Sequence, residues 1–398
     1  MKLTERLGWM KPSATLAINA RAKELQSQGV DVLSFAAGEP DFPTPEHIRR
    51  AASEAIEAGH TRYTAVPGDP ELRAEIAKGF GSRTGVAVKP SQVVVCCGAK
   101  PAIAHFFQAV LDPGDQVIVP TPCWVSYPSQ IRIAGGEPLF VKTEPEQGFR
   151  LGADALRRAV GPRVKALVLN APCNPTGAGI DEDTLRALAE VVIERDLWVL
   201  SDEIYWRVTF DGFEQRSIVA VRPELADRTL VIDGTSKTYS MTGWRIGWGI
   251  GPTKLVETIS TLQGESTSCA PAFGQRAALA ALRGDHGFFD AWLSDLVARR
   301  NAVVRGLGAM DGVRCRPPDG TFYAMADVSA LLGRRPRGGQ PLADSLAVAS
   351  YLLDEARVAV VPGEPFMAPG FVRLSFACSL ATVEKGLMRI GDALSKLV

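Results

Sequence analysis

Gly234-Thr235-Ser236-Lys237-Thr238-Tyr239-Ser240-Met241-Thr242-Gly243-Trp244-Arg245-Ile246-Gly247 decides how the rest of the chain is read. An apolar run, Thr229-Leu230-Val231-Ile232-Asp233, precedes it and has the composition of a buried strand. Lys237 therefore falls just past a strand end, where α/β proteins keep their chemistry. Among small and apolar neighbours its amine is expected to lose part of its water. Desolvation disfavours the ammonium form, lowers the pKa and leaves a nucleophile for carbonyl groups. Further along, Arg245 offers a planar fork that matches a phosphate or a carboxylate. Taken singly, the lysine also fits an ordinary solvated side chain, and Gly243-Trp244 a packing turn.

Composition narrows the field. A chain of 398 residues, 46% hydrophobic and 22% charged, has enough apolar sequence for a large core and points to two domains. Lys+Arg and Asp+Glu are both 44, so a zero net charge gives no support to a nucleic-acid partner. The cysteines (Cys96, Cys97, Cys123, Cys173, Cys269, Cys315 and Cys378) are odd in number and form no C-x-x-C pair. Neither a disulfide framework nor a zinc site is indicated, and four scattered histidines argue against a metal centre. No apolar run has the length of a membrane span and the N-terminus lacks a signal-peptide core, so a cytoplasmic location is the expectation.

Strand and helix signals alternate over 44–290. Gln92–Cys97, Gln116–Val119, Val164–Leu169 and Trp198–Ser201 read as strands, each followed by a turn or helix signal. This predicts an α/β fold: a large domain (44–290) with a mainly parallel central sheet flanked by helices. Residues 291–398 read as a smaller α+β domain, and 1–43 as an N-terminal arm that joins part of it. Thr44 is expected to cap a helix over 45–58, with Pro45 at its first position.

Several turns carry chemistry. Gly98-Ala99-Lys100-Pro101 links a strand to a helix N-terminus, an arrangement whose free N–H groups and dipole hold anions. Asn174, in Asn170-Ala171-Pro172-Cys173-Asn174-Pro175, is fixed by flanking prolines, although a plain Asn-Pro turn has the same sequence. Asp202 ends a buried strand and needs a partner there, either as a helix N-cap or opposite a cation. Tyr205 follows in Asp202-Glu203-Ile204-Tyr205. Trp124 fits a core side chain as well as a stacking platform. Arg373 alternates in strand fashion within Phe371–Phe376, and an edge-strand position is the ordinary alternative.

Ser236-Lys237-x-x-x-Met241-Thr242-Gly243-Trp244-Arg245-Ile246-Gly247, with these turns at their spacings, resembles class I pyridoxal-phosphate aminotransferases of fold type I. The likeness is greatest to the bacterial aspartate/prephenate branch and runs from about Pro12 to the C-terminus. It implies that Lys237 joins pyridoxal 5'-phosphate as a Schiff base and moves protons. It implies further that Asp202 keeps the ring nitrogen protonated, and that Asn174 and Tyr205 contact the ring oxygen while Trp124 stacks on the ring. Ser236, Arg245, Gly98, Ala99 and Lys100 would hold the phosphate, with Tyr63 of a neighbouring subunit in a homodimer. Arg373, Gly38 and Asn174 would meet the substrate carboxylate.

The resemblance also bears on substrate. Lys100 matches a lysine used for a distal carboxylate and Lys11 one linked to prephenate use, implying a dicarboxylic substrate such as aspartate, glutamate or prephenate. Three departures stand out: Cys123 for tyrosine and Pro101 for glutamine beside this pocket, and Gly234 where serine commonly makes a phosphate contact. They leave open a repurposed enzyme of the same fold that performs elimination, decarboxylation or oxidation. A ligand-sensing module of a transcription regulator would need a DNA-binding domain, and 1–37 carry no helix-turn-helix pattern.

Overall fold

The computed structural model describes residues 7–10 and 14–398. Among these residues thirteen strands occur, in the order β1 (Leu33–Ser34), β2 (Val93–Cys96), β3 (Gln116–Thr121), β4 (Glu137–Lys142), β5 (Val164–Asn170), β6 (Trp198–Asp202), β7 (Thr229–Gly234), β8 (Gly247–Ile250), β9 (Arg314–Cys315), β10 (Tyr323–Asp327), β11 (Val358–Ala359), β12 (Val361–Pro362) and β13 (Phe371–Ser375). Seven of them form one sheet in the order β2-β8-β7-β6-β5-β3-β4. From β4 to β7 all pairings are parallel, whereas β8 runs antiparallel to both β7 and β2.

Period-two alternation sends side chains to two covered faces. Val93, Val95, Ile118, Leu167, Val199 and Val231 pack with Leu72 and Ile76 of the helix Pro70–Thr84 and Leu185 and Leu188 of Glu182–Glu194. Val94, Val117, Val168, Leu200, Leu230 and Ile232 pack on the other face. Their partners are Ile103 and Phe106 of the helix Ala99–Val110, and Leu255 and Ile259 of Thr253–Gly264. Burial on both sides explains why these strands read as continuous apolar runs.

The stretch around Lys237 is the connection between β7 and β8, and its two ends are the paired residues Gly234 and Gly247. The pairing closes the loop at its base. A second sheet, β12-β13-β10-β9, is antiparallel throughout. It shares a core with the helices Gly287–Gly308, Ser345–Ala356 and Leu380–Leu394, and with Ile18, Ala22, Val32 and Phe35 from the N-terminal segment. That segment is tied in by β1, which pairs in parallel with β11. Arg373 lies on β13 between β12 and β10, so the edge-strand reading does not hold.

Thr44 does not cap the helix that follows it. The helix is Glu46–Glu57, and Pro45 precedes it with no side-chain cap. Thr44 Oγ1 instead donates to the Ser240 carbonyl at 2.6 Å and accepts from Trp244 Nε1 at 3.1 Å. Both partners lie on the lysine loop, some 200 residues away, beyond the reach of a local capping rule.

Candidate active site

A cavity of about 480 Å³ opens at the C-terminal ends of β5, β6 and β7, and β10 and β13 contribute Tyr323 and Arg373 to its wall. Its size is that of a small-molecule site. The ends of adjacent parallel strands bring Asp202 and the lysine loop side by side, while β13 delivers Arg373 from the second sheet.

Lys237 Nζ donates to the Gly38 carbonyl at 2.6 Å and lies 5.7 Å from the centre of the Tyr205 ring. Burial lowers its pKa to about 8, with Glu39 acting against that shift. Asp202 is buried, accepts from Tyr127 Oη at 2.5 Å and from the Ile204 N–H at 3.3 Å. Desolvation raises its pKa to about 6 although the tyrosine hydrogen bond pulls it down. An acid buried this deeply awaits a cation or a proton. The helix N-cap reading fails because β6 runs into a turn.

The turn at Gly98 forms an open cradle. No side chain caps the helix Ala99–Val110, and Gly98 has φ 94°. A Cβ at Gly98 would meet Arg245 Nη2 at 2.4 Å, and one at Gly247 would meet the Ala99 nitrogen at 2.3 Å. Both glycines are therefore required for the arginine and the helix start to converge. Ser236 lines the same cavity, and Arg245 Nη1 is steadied by the Thr242 carbonyl at 2.8 Å. Pro101 sits in the first helical turn, where an N–H has no intrahelical partner in any case. Uncapped N–H groups, an arginine and a hydroxyl suit a phosphate.

Arg373 is buried, donates to Asn174 Oδ1 at 3.0 Å and to the Ala36 carbonyl at 3.2 Å, and leaves Nε without a partner. Its guanidinium lies over Tyr323 and Phe366, at 4.3 and 4.9 Å from the ring centres. Such a fork, short of one acceptor, suits a carboxylate. Tyr205 and Tyr323 join hydroxyls at 3.1 Å. At the mouth, Lys100 Nζ stands 4.9 Å over the Trp124 ring.

The cavity thus gathers Gly38, Trp124 and Asn174 from loops, and Ala99 and Lys100 from the start of the helix Ala99–Val110. It also gathers Asp202, Tyr205, Ser236, Lys237, Arg245 and Arg373. Gly98 lies directly beneath Arg245. Tyr63 is away from the cavity and 89% exposed. Lys11 lies outside the described residues. Cys123 and Pro101, expected beside the pocket, do not line it. Cys123 borders a separate cavity of about 40 Å³ together with Cys173, while its neighbour Trp124 faces the main one. A Cβ at Gly234 would meet the Gly247 Cα at 2.9 Å, so a serine has no room there to reach a phosphate.

Tyr127 and Tyr323 join the site without any signal in the sequence. Tyr127 acts on Asp202 across 75 positions and Tyr323 on Tyr205 across 118, and no short motif links either pair. Among the described residues no group of three or more His, Cys, Asp or Glu is placed to hold a metal. None of the described helices is long and apolar enough to cross a membrane.

A softened lysine amine beside a buried carboxylate, between an anion cradle and a carboxylate fork, defines an enzyme that handles amines and carbonyls. The comparisons with known proteins agree. A family profile described as aminotransferase class I and II matches residues 30–390. An aspartate aminotransferase of Streptomyces avermitilis is 43% identical over 99% of this chain and 97% of its own length. An aspartate/prephenate aminotransferase of Cereibacter sphaeroides is 42% identical over 98% and 97%. The solved aspartate aminotransferase of Thermus thermophilus with maleate superposes with a TM-score of 0.92 at 41% identity, covering 99% of this chain and all of that one. The chain belongs to the class I and II aminotransferases, and it is a transaminase with the fold type I architecture.

Proposed function

We propose that this transaminase uses pyridoxal 5'-phosphate, held at Lys237, to move the amino group of an acidic amino acid, aspartate foremost, onto a 2-oxo acid. The observation that carries the reading is the convergence of Lys237, Asp202 and Arg373 on one cavity beside the Gly98–Arg245 cradle. When bound, the cofactor supplies an electron-poor ring that stabilises negative charge developing at the substrate Cα.

The chain's own groups supply the rest. The Ala99 and Lys100 N–H groups, Ser236 and Arg245 would hold the phosphate. Asp202, positioned by Tyr127, would face the ring nitrogen and keep it protonated. Asn174 and Tyr205 would contact the ring oxygen, and Trp124 would cover one ring face. Lys237 Nζ, neutral in a larger fraction than an exposed lysine, would attack the carbonyl and later take and return the proton at the substrate Cα. Arg373, with Gly38 and Asn174 near it, would orient the α-carboxylate so that one Cα–H bond is presented. Lys100 at the mouth would meet the distal carboxylate, a role supported by the dicarboxylate maleate in the Thermus thermophilus relative. Nothing in the cavity or the relatives favours elimination, decarboxylation or oxidation.

The reading includes a homodimer in which the partner subunit's Tyr63 completes the phosphate site, supported by the exposure of Tyr63 on this chain. It includes a division into a large body (44–290) and a smaller one (291–398 with 1–43), supported by the separate cores of the two sheets. A cytoplasmic setting is supported by seven free cysteines. Initial rates with aspartate and 2-oxoglutarate test the function. Parallel double-reciprocal lines, abolished in Lys237→Ala, are expected; no transfer from any acidic amino acid would overturn the reading.

A further inference from the structure

Next to the catalytic pair lies a charged cluster that none of the foregoing chemistry uses. Arg83, on the helix Pro70–Thr84, donates to Glu203 Oε2 at 2.8 Å, and the two side chains are only 16% and 4% exposed. Glu203 Oε1 accepts from Ser201 Oγ at 2.8 Å and Ser217 Oγ at 2.6 Å. The Arg83 guanidinium also covers the Trp206 ring at 4.5 Å. Trp206 Nε1 donates to Asp233 Oδ2 at 3.0 Å, and Asp233 Oδ1 accepts the Gly234 N–H at 2.7 Å. Arg83, Glu203, Trp206 and Asp233 are all absent from the cavity wall.

The connectivity is what matters. Glu203 follows Asp202 at the end of β6, and Asp233-Gly234 closes β7 just before Ser236-Lys237. One guanidinium therefore grips both strand ends that carry the reacting side chains, one by an ion pair and the other through the Trp206 ring. It also offsets two acids, the buried Glu203 and the half-buried Asp233: desolvation raises the Asp233 pKa to about 7, and Arg83 is the group that most opposes this. A buried carboxylate left without its cation is strongly destabilised, so a cluster of this kind holds one geometry.

We infer that Arg83 is a positioning residue for the transamination, fixing with Trp206 the separation and orientation of the Asp202 carboxylate and the Lys237 amine. The inference rests on the cofactor reading above for its consequence, but on the cluster's geometry for its cause. Arg83→Lys keeps the charge and loses the planar fork; Trp206→Phe keeps an aromatic ring beneath the guanidinium and loses the N–H to Asp233 with part of the ring area.

The test uses the full chain with pyridoxal 5'-phosphate as probe. The amine–carbonyl adduct is fixed by borohydride at timed intervals, and labelling at Lys237 is measured by peptide mapping against the exposed Lys142. Both variants are expected to lower the Lys237:Lys142 rate ratio by about tenfold, because small misplacements of reacting groups are costly. In steady-state transfer from aspartate, kcat should fall while KM stays within about twofold, since Arg373 and Asn174 are untouched. A wild-type ratio in Trp206→Phe overturns the inference, and that variant decides the matter even if Arg83→Lys fails to fold. Labelling at Lys237 that responds to both substitutions in a protein that transfers no amino group from any acidic amino acid would sustain this inference and reject the proposed function. Absence of labelling at Lys237 in the unsubstituted chain would overturn both.

Discussion

Burial acts in opposite senses on two groups of the cavity wall, lowering the Lys237 pKa to about 8 and raising that of Asp202 to about 6. For the lysine, the neutral form is the nucleophile, and it gains as pH rises. Uptake of pyridoxal 5'-phosphate, followed by stopped-flow absorbance, should accelerate with pH, reach half its limit near pH 8 and level off about a unit above, whereas an exposed lysine would still be gaining at about pH 10. The folded chain also binds fewer protons here than the unfolded chain between about 8 and 10.5, so this residue makes stability rise with pH across that window. Asp202 behaves in the other direction. Between 3.8 and about 6 the folded chain binds more protons than the unfolded one, so its contribution falls as pH rises and remains unfavourable at neutrality. Asp202→Asn should stabilise the cofactor-free protein at neutral pH, by at most about 3 kcal/mol for a shift of this size, and raise its melting temperature. If Asp202 faces the ring nitrogen as proposed, the same substitution should lower kcat by about 100-fold or more, because that charge is then gone.

At the scale of elements, the β7–loop–β8 unit carries the site. Its loop is closed by Gly234 and Gly247, and Gly247 also lets the start of the helix Ala99–Val110 press against β8. The Cβ of Gly247→Ala would collide with backbone atoms of Gly98 and Ala99, which have no rotamer to change. That substitution should cost about 1–3 kcal/mol in thermal or denaturant unfolding and weaken cofactor affinity in an absorbance titration. Much of this unit is legible in the sequence. The apolar runs of β5, β6 and β7, the Gly98 turn and most side chains of the cavity are readable there, because each is local and strands buried on both faces leave an apolar signature. β4 and β8 leave none. β4 has exposed and half-exposed residues throughout, and β8, Gly247–Ile250, is glycine-rich and begins within the loop motif. Thr44, Tyr127 and Tyr323 escape a sequence reading for a common reason: their partners lie 75 to 200 residues away.

For the molecule as a whole, the joint between the two sheets sets the shape of the cavity. Asp319, in the turn that leads to β10, accepts from Arg150 at 3.3 Å, from Arg316 at 3.1 Å and from the Gly179 N–H at 3.0 Å. The Asp319 and Gly320 N–H groups both donate to the Gly177 carbonyl at 2.9 Å. The joint thus fastens the loop bearing Asn174 to the strand bearing Tyr323, beside β13 and Arg373. Asp319→Ala should cost about 1–2 kcal/mol in stability and raise KM for aspartate more than it lowers kcat, since it loosens the carboxylate fork rather than the amine. The central claim, that this cavity passes an amino group through the cofactor in two separate halves, is tested most directly by a single turnover. Protein loaded with pyridoxal 5'-phosphate is mixed with aspartate alone, and oxaloacetate is counted per chain. The account predicts one equivalent of oxaloacetate, no further product, and renewed turnover once 2-oxoglutarate is added. No oxaloacetate, or its continuous release without an acceptor, would contradict it.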